Sequence, residues 1–256
     1  MKPNILKKKL NNNEPTIGCW LTLAHPLIPE ILAHAGFDWM TIDMEHTSIE
    51  LNDLLTLIIS IEAKGMVPLV RIGENNPNLI KRVMDAGAYG VIVANVCSAK
   101  EAQDAVNAVK YSPTGTRGVG LYRAQAYGKE FEEYLKWVEE ESVVIVQIEH
   151  IDAVRKIDEI FSVTGIDAYM IGPYDLSGSL KKPGQFDDSE VKDAIETIIQ
   201  AGKKHNIAAG FHSVSSNPHE AYQRQQQGFT FLAFSTDAIL LGDASILAMK
   251  QLKASN

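Results

Sequence analysis

Cysteine and positive charge are both scarce in this sequence. Cys19 and Cys97 are the only cysteines among 256 residues, too few for a framework of disulfide bonds, and we expect both to be reduced thiols in apolar surroundings. The 24 lysines and arginines are outnumbered by 32 aspartates and glutamates, which gives a net charge of −8. This balance argues against nucleic-acid binding, because phosphate backbones are bound by basic surfaces.

Long apolar runs are missing as well. No stretch approaches the ~20 apolar residues that a helix needs to span a bilayer. The lysines near the N terminus precede no apolar segment of signal-peptide length. The sequence therefore predicts a cytoplasmic protein with no membrane partner and no nucleic-acid partner.

Short runs rich in valine, isoleucine, leucine and methionine are instead spread along the chain. Most are continuously apolar rather than alternating, as expected of parallel strands that helices cover. The predicted strands span residues 16–23, 39–45, 67–72, 90–96, 143–149, 168–174, 207–212 and 230–236. Apolar residues recur at helical spacing over residues 51–64, 77–86, 99–110, 152–162, 188–205 and 218–227.

A (β/α)8 TIM barrel of α/β class, in one domain, is the architecture that these elements predict. Eight alternating units favour a closed barrel over an open doubly wound sheet, and about 250 residues is the usual length of such a barrel. We expect the domain to occupy residues 1–256 with its core at about 16–245. The basic N-terminal dozen residues and the last few are expected to be frayed.

One insertion interrupts the alternation of strands and helices. Residues 111–142 separate the helical segment at 99–110 from the fifth strand, and they include a charged, helix-like segment at 129–141. Connections of this length in a compact domain are usually functional. We therefore expect a lid or an arm that lines the substrate.

Reactive side chains stand at the carboxyl ends of four predicted strands, which meet at one mouth of a parallel barrel. Glu149 closes the fifth strand and Asp175 follows the sixth. Two carboxylates without thiolates or clustered imidazoles suit Mg²⁺ or Mn²⁺, and Co²⁺ is also possible. The alternative for each acid is a structural role at a helix N-terminus.

Other groups at the same mouth complete a candidate active site. Arg71 stands in an apolar strand, where it is either a cation for an enolate or carboxylate or a member of a buried ion pair. His46, positioned by Asp43 or Glu45, is suited to proton transfer, although histidines also cap loops. Gln147 shares a strand face with Glu149 because side chains alternate with period two.

These groups together predict the enolisation of a 2-oxo acid. A metal ion and Arg71 would stabilise negative charge while a base removes a proton beside the carbonyl. The backbone geometry at Gly172 and Pro173 exposes amide groups that could bind a carboxylate. The reaction is not fixed by this chemistry alone, because decarboxylation, aldol cleavage and phosphoryl transfer all pass through enolates.

The motifs resemble the HpcH/HpaI aldolase family of metal-dependent (class II) pyruvate aldolases, over roughly residues 16 to 245. The matching segments are 41–47 (TIDMEHT), 68–72 (PLVRI), 115–120 (GTRGVG), 146–150 (VQIEH) and 171–180 (IGPYDLSGSL). The resemblance implies a (β/α)8 barrel assembled as a hexamer, a trimer of dimers with a swapped C-terminal helix.

The resemblance also implies a role for each residue of the site. Glu149 and Asp175 would be the metal ligands, and Arg71 would stabilise the enolate. His46, with Asp43 behind it, would transfer protons. The bound pyruvate would lie near Gln147 and the segment Gly172–Pro173, with its carboxylate on the backbone amides of Tyr174 and Asp175.

The activity implied is the reversible cleavage of a 4-hydroxy-2-oxo acid to pyruvate and an aldehyde through a metal-bound pyruvate enolate. Alternatives are an acyl-CoA lyase of the citrate lyase beta or malyl-CoA lyase type, and a non-catalytic 2-oxo acid binding protein. Tyr174, Tyr122 and Lys181 depart from the usual family pattern around the acceptor side. We therefore leave the aldehyde undefined.

Overall fold

A computed structural model describes residues 1–254 and shows a closed barrel of eight parallel strands. Every strand pairs with the next in the chain, and β1 pairs with β8 to close the barrel. The strands are β1 (Thr16–Leu21), β2 (Trp39–Asp43), β3 (Val67–Ile72), β4 (Gly90–Val93), β5 (Val143–Ile148), β6 (Ala168–Ile171), β7 (Ala208–Ser213) and β8 (Phe231–Thr236). The predicted single-domain TIM barrel is confirmed.

Helices connect and surround the strands. They are α1 (Ile5–Asn11), α2 (Leu27–Leu32), α3 (Leu51–Ala63), α4 (Pro77–Ala86), α5 (Ala99–Val109), α6 (Phe131–Glu141), α7 (Ile151–Arg155), α8 (Ile157–Phe161), α9 (Pro173–Ser179), α10 (Ser189–His205), α11 (His219–Gln226) and α12 (Asp237–Ala254). Short 3₁₀ turns occupy Ala33–Ala35 and Arg123–Gly128.

Local sequence signals account for the ends of these helices, as α4 illustrates. The Asn76 side chain accepts hydrogen bonds from the N–H groups of Asn78 and Leu79, and Pro77 occupies the first turn, where its missing N–H costs nothing. Gly87 ends the helix at φ 107°, a left-handed conformation that glycine adopts without strain.

The prediction placed several strand ends too far along the chain. The strand-like pattern continues past the true strand ends into residues 44–45, 94–96 and 172–174. These residues lie outside the sheet, at the barrel mouth. Tyr174 belongs to α9 rather than to β6. The helix predicted at 152–162 is two helices, because Lys156 between them has non-helical backbone angles.

Side chains of the strands alternate between the inside of the barrel and its helical coat. Met40 and Ile42 join the outer core, whereas Trp39 joins the inner one. Gly18 leaves space for this tryptophan, since a Cβ atom there would lie 2.0 Å from the Trp39 ring. The same alternation and register place Asp43 beside Arg71 at the inner rim.

The prediction of a frayed N terminus was wrong for the first dozen residues. Asn4 caps α1 by accepting from the N–H groups of Leu6 and Lys7. Leu6 and Leu10 are buried in the inner core, at the end of the barrel opposite the mouth, and α1 therefore closes that end. At the C terminus, α12 extends to Ala254, and residues 255–256 lie outside the described part of the chain.

The insertion also lies at the closed end of the barrel. The prediction of a lid or a substrate-lining arm was therefore wrong for the cavity of this chain, whose lining includes no residue of the insertion. The insertion joins the end of α5 to the start of β5, and chain connections of that polarity lie opposite the mouth. Its Arg117 is buried between Tyr111 and Tyr134 and pairs with Asp85. The Trp137 indole N–H donates to the Lys2 carbonyl at 2.7 Å, which ties the insertion to the N-terminal segment.

Within residues 1–254, none of the helices combines the length and the apolar composition needed to cross a membrane.

Removal of the Leu6 side chain tests whether α1 is part of the core. Leu6→Ala should lower the free energy of unfolding by about 2–5 kcal/mol, because a fully buried leucine leaves a cavity. Ile5→Ala on the exposed side of the same helix should change it by less than about 0.5 kcal/mol. Urea denaturation measures both variants, and equal effects would contradict a buried α1.

Candidate active site

A cavity of about 1090 Å³ opens at the mouth of the barrel. Its lining contains eight of the nine residues predicted to form the site, namely Asp43, His46, Arg71, Gln147, Gly172, Pro173, Tyr174 and Asp175. The ninth, Glu149, is buried next to Gln147 and Gly172. The barrel thus brings together side chains from β2, β3, β5 and the β6–α9 connection.

Glu149 is a buried carboxylate held by neutral donors. One oxygen accepts from the backbone N–H of Asn95 at 2.7 Å, and the other accepts from the Gln147 amide. Asn95, which follows β4 with a left-handed φ of 51°, was not recognised from the sequence. Gly172 permits the close approach of β6, since a Cβ atom there would lie 2.6 Å from the Glu149 carboxylate.

Negative charge accumulates around Glu149. Burial raises the pKa of the Glu149 carboxyl. The two hydrogen bonds lower this pKa, whereas repulsion from the nearby Glu45 and Asp175 raises it further. Burial likewise raises the pKa of Glu45, which also experiences repulsion from Asp43 and Asp175. These effects show that Glu45, Glu149 and Asp175 share one electrostatic environment at the mouth.

Arg71 is held by two acids at the same rim. Its Nε and Nη2 donate to the two Asp43 carboxylate oxygens at 3.0 and 2.7 Å, and its Nη1 lies 3.0 Å from Glu45 Oε2. The buried ion pair that the sequence left open is therefore present. A guanidinium has five N–H donors, so these contacts still leave donors on a group that borders the cavity.

His46 stands at the open edge of the cavity. The ring is largely exposed, and its Nε2 lies 3.7 Å from Glu45 Oε2. Asp43 fixes the loop rather than the ring, because its Oδ1 accepts from the backbone N–H groups of Glu45 and His46 at 3.0 and 3.3 Å. Of the two partners expected for the imidazole, the structure thus places Glu45 nearest.

Asp175 lies in the first turn of α9, and its side chain is exposed to the cavity. Pro173 occupies the N-terminal position of this helix. Tyr174 points away from the core and packs edge-on against Phe186, with ring centroids 4.8 Å apart. Tyr174, which departs from the family pattern, thus forms an aromatic wall with Phe186 at the outer edge of the mouth.

Two further residues of the mouth were not assigned a role from the sequence. Arg71 lies over the Trp20 ring, 5.3 Å from its centroid, and Trp20 stacks on His212 at 4.6 Å. Both rings border the cavity. Burial lowers the pKa of His212 to about 4, so this imidazole is neutral at physiological pH.

The donors present fit a hard divalent cation. Glu149 has no cationic partner among the described residues, and Asp175, a carboxylate that borders the cavity, is close enough to repel it. Residues 1–254 contain no group of three or more His, Cys, Asp and Glu side chains in a metal-binding arrangement. A cation at these two acids would therefore take its remaining ligands from substrate and water.

Comparisons with known proteins identify the family of this chain. A family model described as HpcH/HpaI aldolase/citrate lyase matches residues 16–244. The chain is 37% identical over 243 residues to 2-keto-3-deoxy-L-rhamnonate aldolase of Escherichia coli K12, covering 94% of this chain and 90% of that protein. It is 34% identical over 258 residues to hydroxypyruvate/pyruvate aldolase of Paraburkholderia phytofirmans, covering 98% of each.

A solved structure supports the same relationship. The HpcH/HpaI aldolase/citrate lyase family protein of Burkholderia cenocepacia J2315 superposes with a TM-score of 0.92 at 32% identity, over 98% of this chain and 99% of that one. The resemblance seen in the sequence motifs is thus confirmed, and the chain belongs to the HpcH/HpaI aldolase/citrate lyase family.

Proposed function

We propose that this protein is a divalent-metal-dependent aldolase that reversibly cleaves a 4-hydroxy-2-oxo acid to pyruvate and an aldehyde. The observation that carries the proposal is the pair of acids at the mouth, Glu149 and Asp175, together with the guanidinium of Arg71 that borders the same mouth. The names of the two aldolase relatives support the reaction class.

Glu149 and Asp175 would hold the cation, for which Mg²⁺ and Mn²⁺ suit the oxygen donors and Co²⁺ is an alternative. When bound, it would act as a Lewis acid on the substrate carbonyl. The Gln147 amide donates a hydrogen bond to one Glu149 oxygen, and the Asn95 N–H donates one to the other. These two contacts fix the carboxylate before any ligand arrives.

Arg71 would stabilise negative charge on the oxygen of the 2-oxo acid. Its two carboxylate partners hold the guanidinium plane rigid, and it presents its remaining N–H groups to the cavity. A donor fixed in advance stabilises a developing oxyanion without reorganisation. Asp43 and Glu45 thus serve to position Arg71.

His46 would move the proton at the reacting oxygen or carbon. Its exposed ring can reach substrate in the cavity, and Glu45 lies close enough to stabilise the protonated imidazole. The backbone N–H groups of Tyr174 and Asp175 are at the start of α9, where they have no partners within the helix, and they would bind the substrate carboxylate.

The acyl-CoA alternative predicts a basic track for phosphates near Lys181 and Lys182. Lys182 instead pairs with both Asp188 and Glu190 at 2.7 Å. This pairing favours the aldolase over the acyl-CoA lyase.

We further propose a homohexamer, a trimer of dimers in which α12 packs on a neighbouring barrel. The support is the number of exposed apolar side chains on this helix: Leu241, Ile246, Leu247, Met249 and Leu252. Such a surface is typical of a covered face. Cys19 and Cys97 are both free thiols, which fits the proposed cytoplasmic location.

Metal dependence is the direct test of the proposed reaction. Purified protein with Mn²⁺, pyruvate and a panel of aldehydes should form 4-hydroxy-2-oxo acids, measured by mass spectrometry. Exhaustive chelation should abolish product formation, and Mn²⁺ or Mg²⁺ should restore it. Full activity without a divalent cation would contradict the proposal.

Glu149→Gln separates metal binding from folding. The raised pKa of this buried acid means that stability is lost as pH rises through that pKa, so a neutral amide should remove the penalty at pH 7. The metal-free variant should melt no lower than the parent, and higher by about 2–4 °C for each kcal/mol relieved. It should nevertheless lose the rise in Tm that Mn²⁺ gives the parent protein.

Differential scanning fluorimetry at pH 7 with and without Mn²⁺ measures both effects. The matched control is Glu159→Gln, a neutralised glutamate on the exposed surface of α8, which should retain the response to Mn²⁺. A full Mn²⁺ response in Glu149→Gln would remove Glu149 from the proposed site.

Arg71→Lys tests the fixed cation at the rim. Lysine retains the charge but cannot reproduce the fork onto Asp43, so kcat should fall by roughly 10²-fold or more. Arg123→Lys is the control, because Arg123 pairs with Glu62 at the closed end of the barrel and should have kcat close to that of the parent. A change in Arg71→Lys confined to KM would assign Arg71 to binding alone.

A further inference from the structure

The stacked rings of Trp20 and His212 form a polar wall next to Arg71 that the proposed reaction does not use. Trp20 is the last inward-facing residue of β1, and His212 lies near the end of β7. Their ring centroids are 4.6 Å apart with an interplanar angle of 18°, and both residues border the cavity. The two rings therefore form one continuous surface at the cavity.

The state of the His212 ring follows from its contact with β8. Its Nε2 lies 3.0 Å from the Ser235 carbonyl oxygen. A carbonyl can only accept, so Nε2 carries the hydrogen and Nδ1 is left as an acceptor with a lone pair. Among the described residues, no group donates to this Nδ1.

Trp20 provides the complementary group. Its indole Nε1 is a donor only, it is buried, and it has no acceptor among the described residues. An unpaired buried donor is unfavourable, and a bound ligand that accepts its hydrogen bond removes that cost. One wall of the cavity thus carries an unpaired donor and an unpaired acceptor on adjacent rings.

A hydroxyl group both donates and accepts, and it is the simplest substrate group that satisfies both edges. We propose, building on the aldolase function above, that Trp20 and His212 bind a substrate hydroxyl and make the enzyme select hydroxylated substrates over their deoxy counterparts. Contact of Trp20 with Arg71 places this wall beside the oxygen-binding end of the 2-oxo acid. The hydroxyl belongs either to the 2-oxo acid or to the aldehyde.

Matched substrate pairs distinguish these two sources. Hydroxypyruvate is compared with 2-oxobutanoate as the donor, and glycolaldehyde with propionaldehyde as the acceptor, since the members of each pair differ by a hydroxyl in place of a methyl. In at least one pair, kcat/KM of the wild-type protein with Mn²⁺ should favour the hydroxylated member by tenfold or more. The pair that shows the preference identifies which substrate carries the hydroxyl.

Substitutions then test the two rings. His212→Leu removes the acceptor and should reduce the preference by roughly tenfold, the ratio expected for the loss of one hydrogen bond. Trp20→Phe removes only the indole N–H and should act in the same direction. His212→Gln, which retains an acceptor oxygen, should preserve more of the preference than leucine does.

The possible outcomes separate this inference from the proposed function. Equal kcat/KM within both pairs for the wild-type protein overturns the inference, whatever the variants do. So does a preference that remains unchanged in both His212→Leu and Trp20→Phe. If the wild-type protein condenses none of these 2-oxo acids with either aldehyde, the aldolase function itself fails.

Discussion

A buried carboxylate without a cationic partner is the constraint around which the mouth of this barrel is arranged. Within residues 1–254, Glu149 receives hydrogen bonds only from the Gln147 amide and the Asn95 backbone, and both are neutral donors. Arg71, which borders the cavity at the same mouth, pairs with Asp43 and Glu45 instead. The site therefore has a surplus of negative charge, which a divalent ion would neutralise.

The rigid strands of the barrel hold these acidic side chains close together despite their mutual repulsion. Asp43 and Arg71 are register partners on β2 and β3, and Gly172 lets the end of β6 approach Glu149 closely. The closed end is filled by α1 and by the insertion, whose apolar contacts provide stability away from the mouth. The stabilising contacts and the candidate active site thus lie at opposite ends of the barrel, as is usual for this fold.

Much of the fold and most of the candidate site could be predicted because both depend on local patterns. Continuous apolar runs such as 143–148 identified the strands, and polar residues at their ends identified Arg71, Glu149 and Asp175. The packing of the N-terminal helix against distant parts of the chain could not be predicted from local patterns. The burial of Leu6 depends on strand starts more than a hundred residues away, and helical periodicity within a basic segment gave no sign of it.

Contacts between distant strands set a similar limit at the site. Trp20 and His212 stack across β1 and β7, nearly 200 positions apart, and neither residue type signals such a contact by itself. Arg71 shows the converse, because the sequence allowed both an ion pair and a substrate contact, and the structure supplies the ion pair while leaving donors at the cavity.

Proton exchange into pyruvate tests the central claim most directly, since it requires no knowledge of the aldehyde. The protein is mixed with Mn²⁺ and pyruvate in D₂O, the protein and metal are removed after quenching, and the methyl signal is followed by NMR. The account predicts exchange well above that of Mn²⁺ alone. Pyruvate that binds, as shown by calorimetry, yet keeps its methyl protons would contradict it.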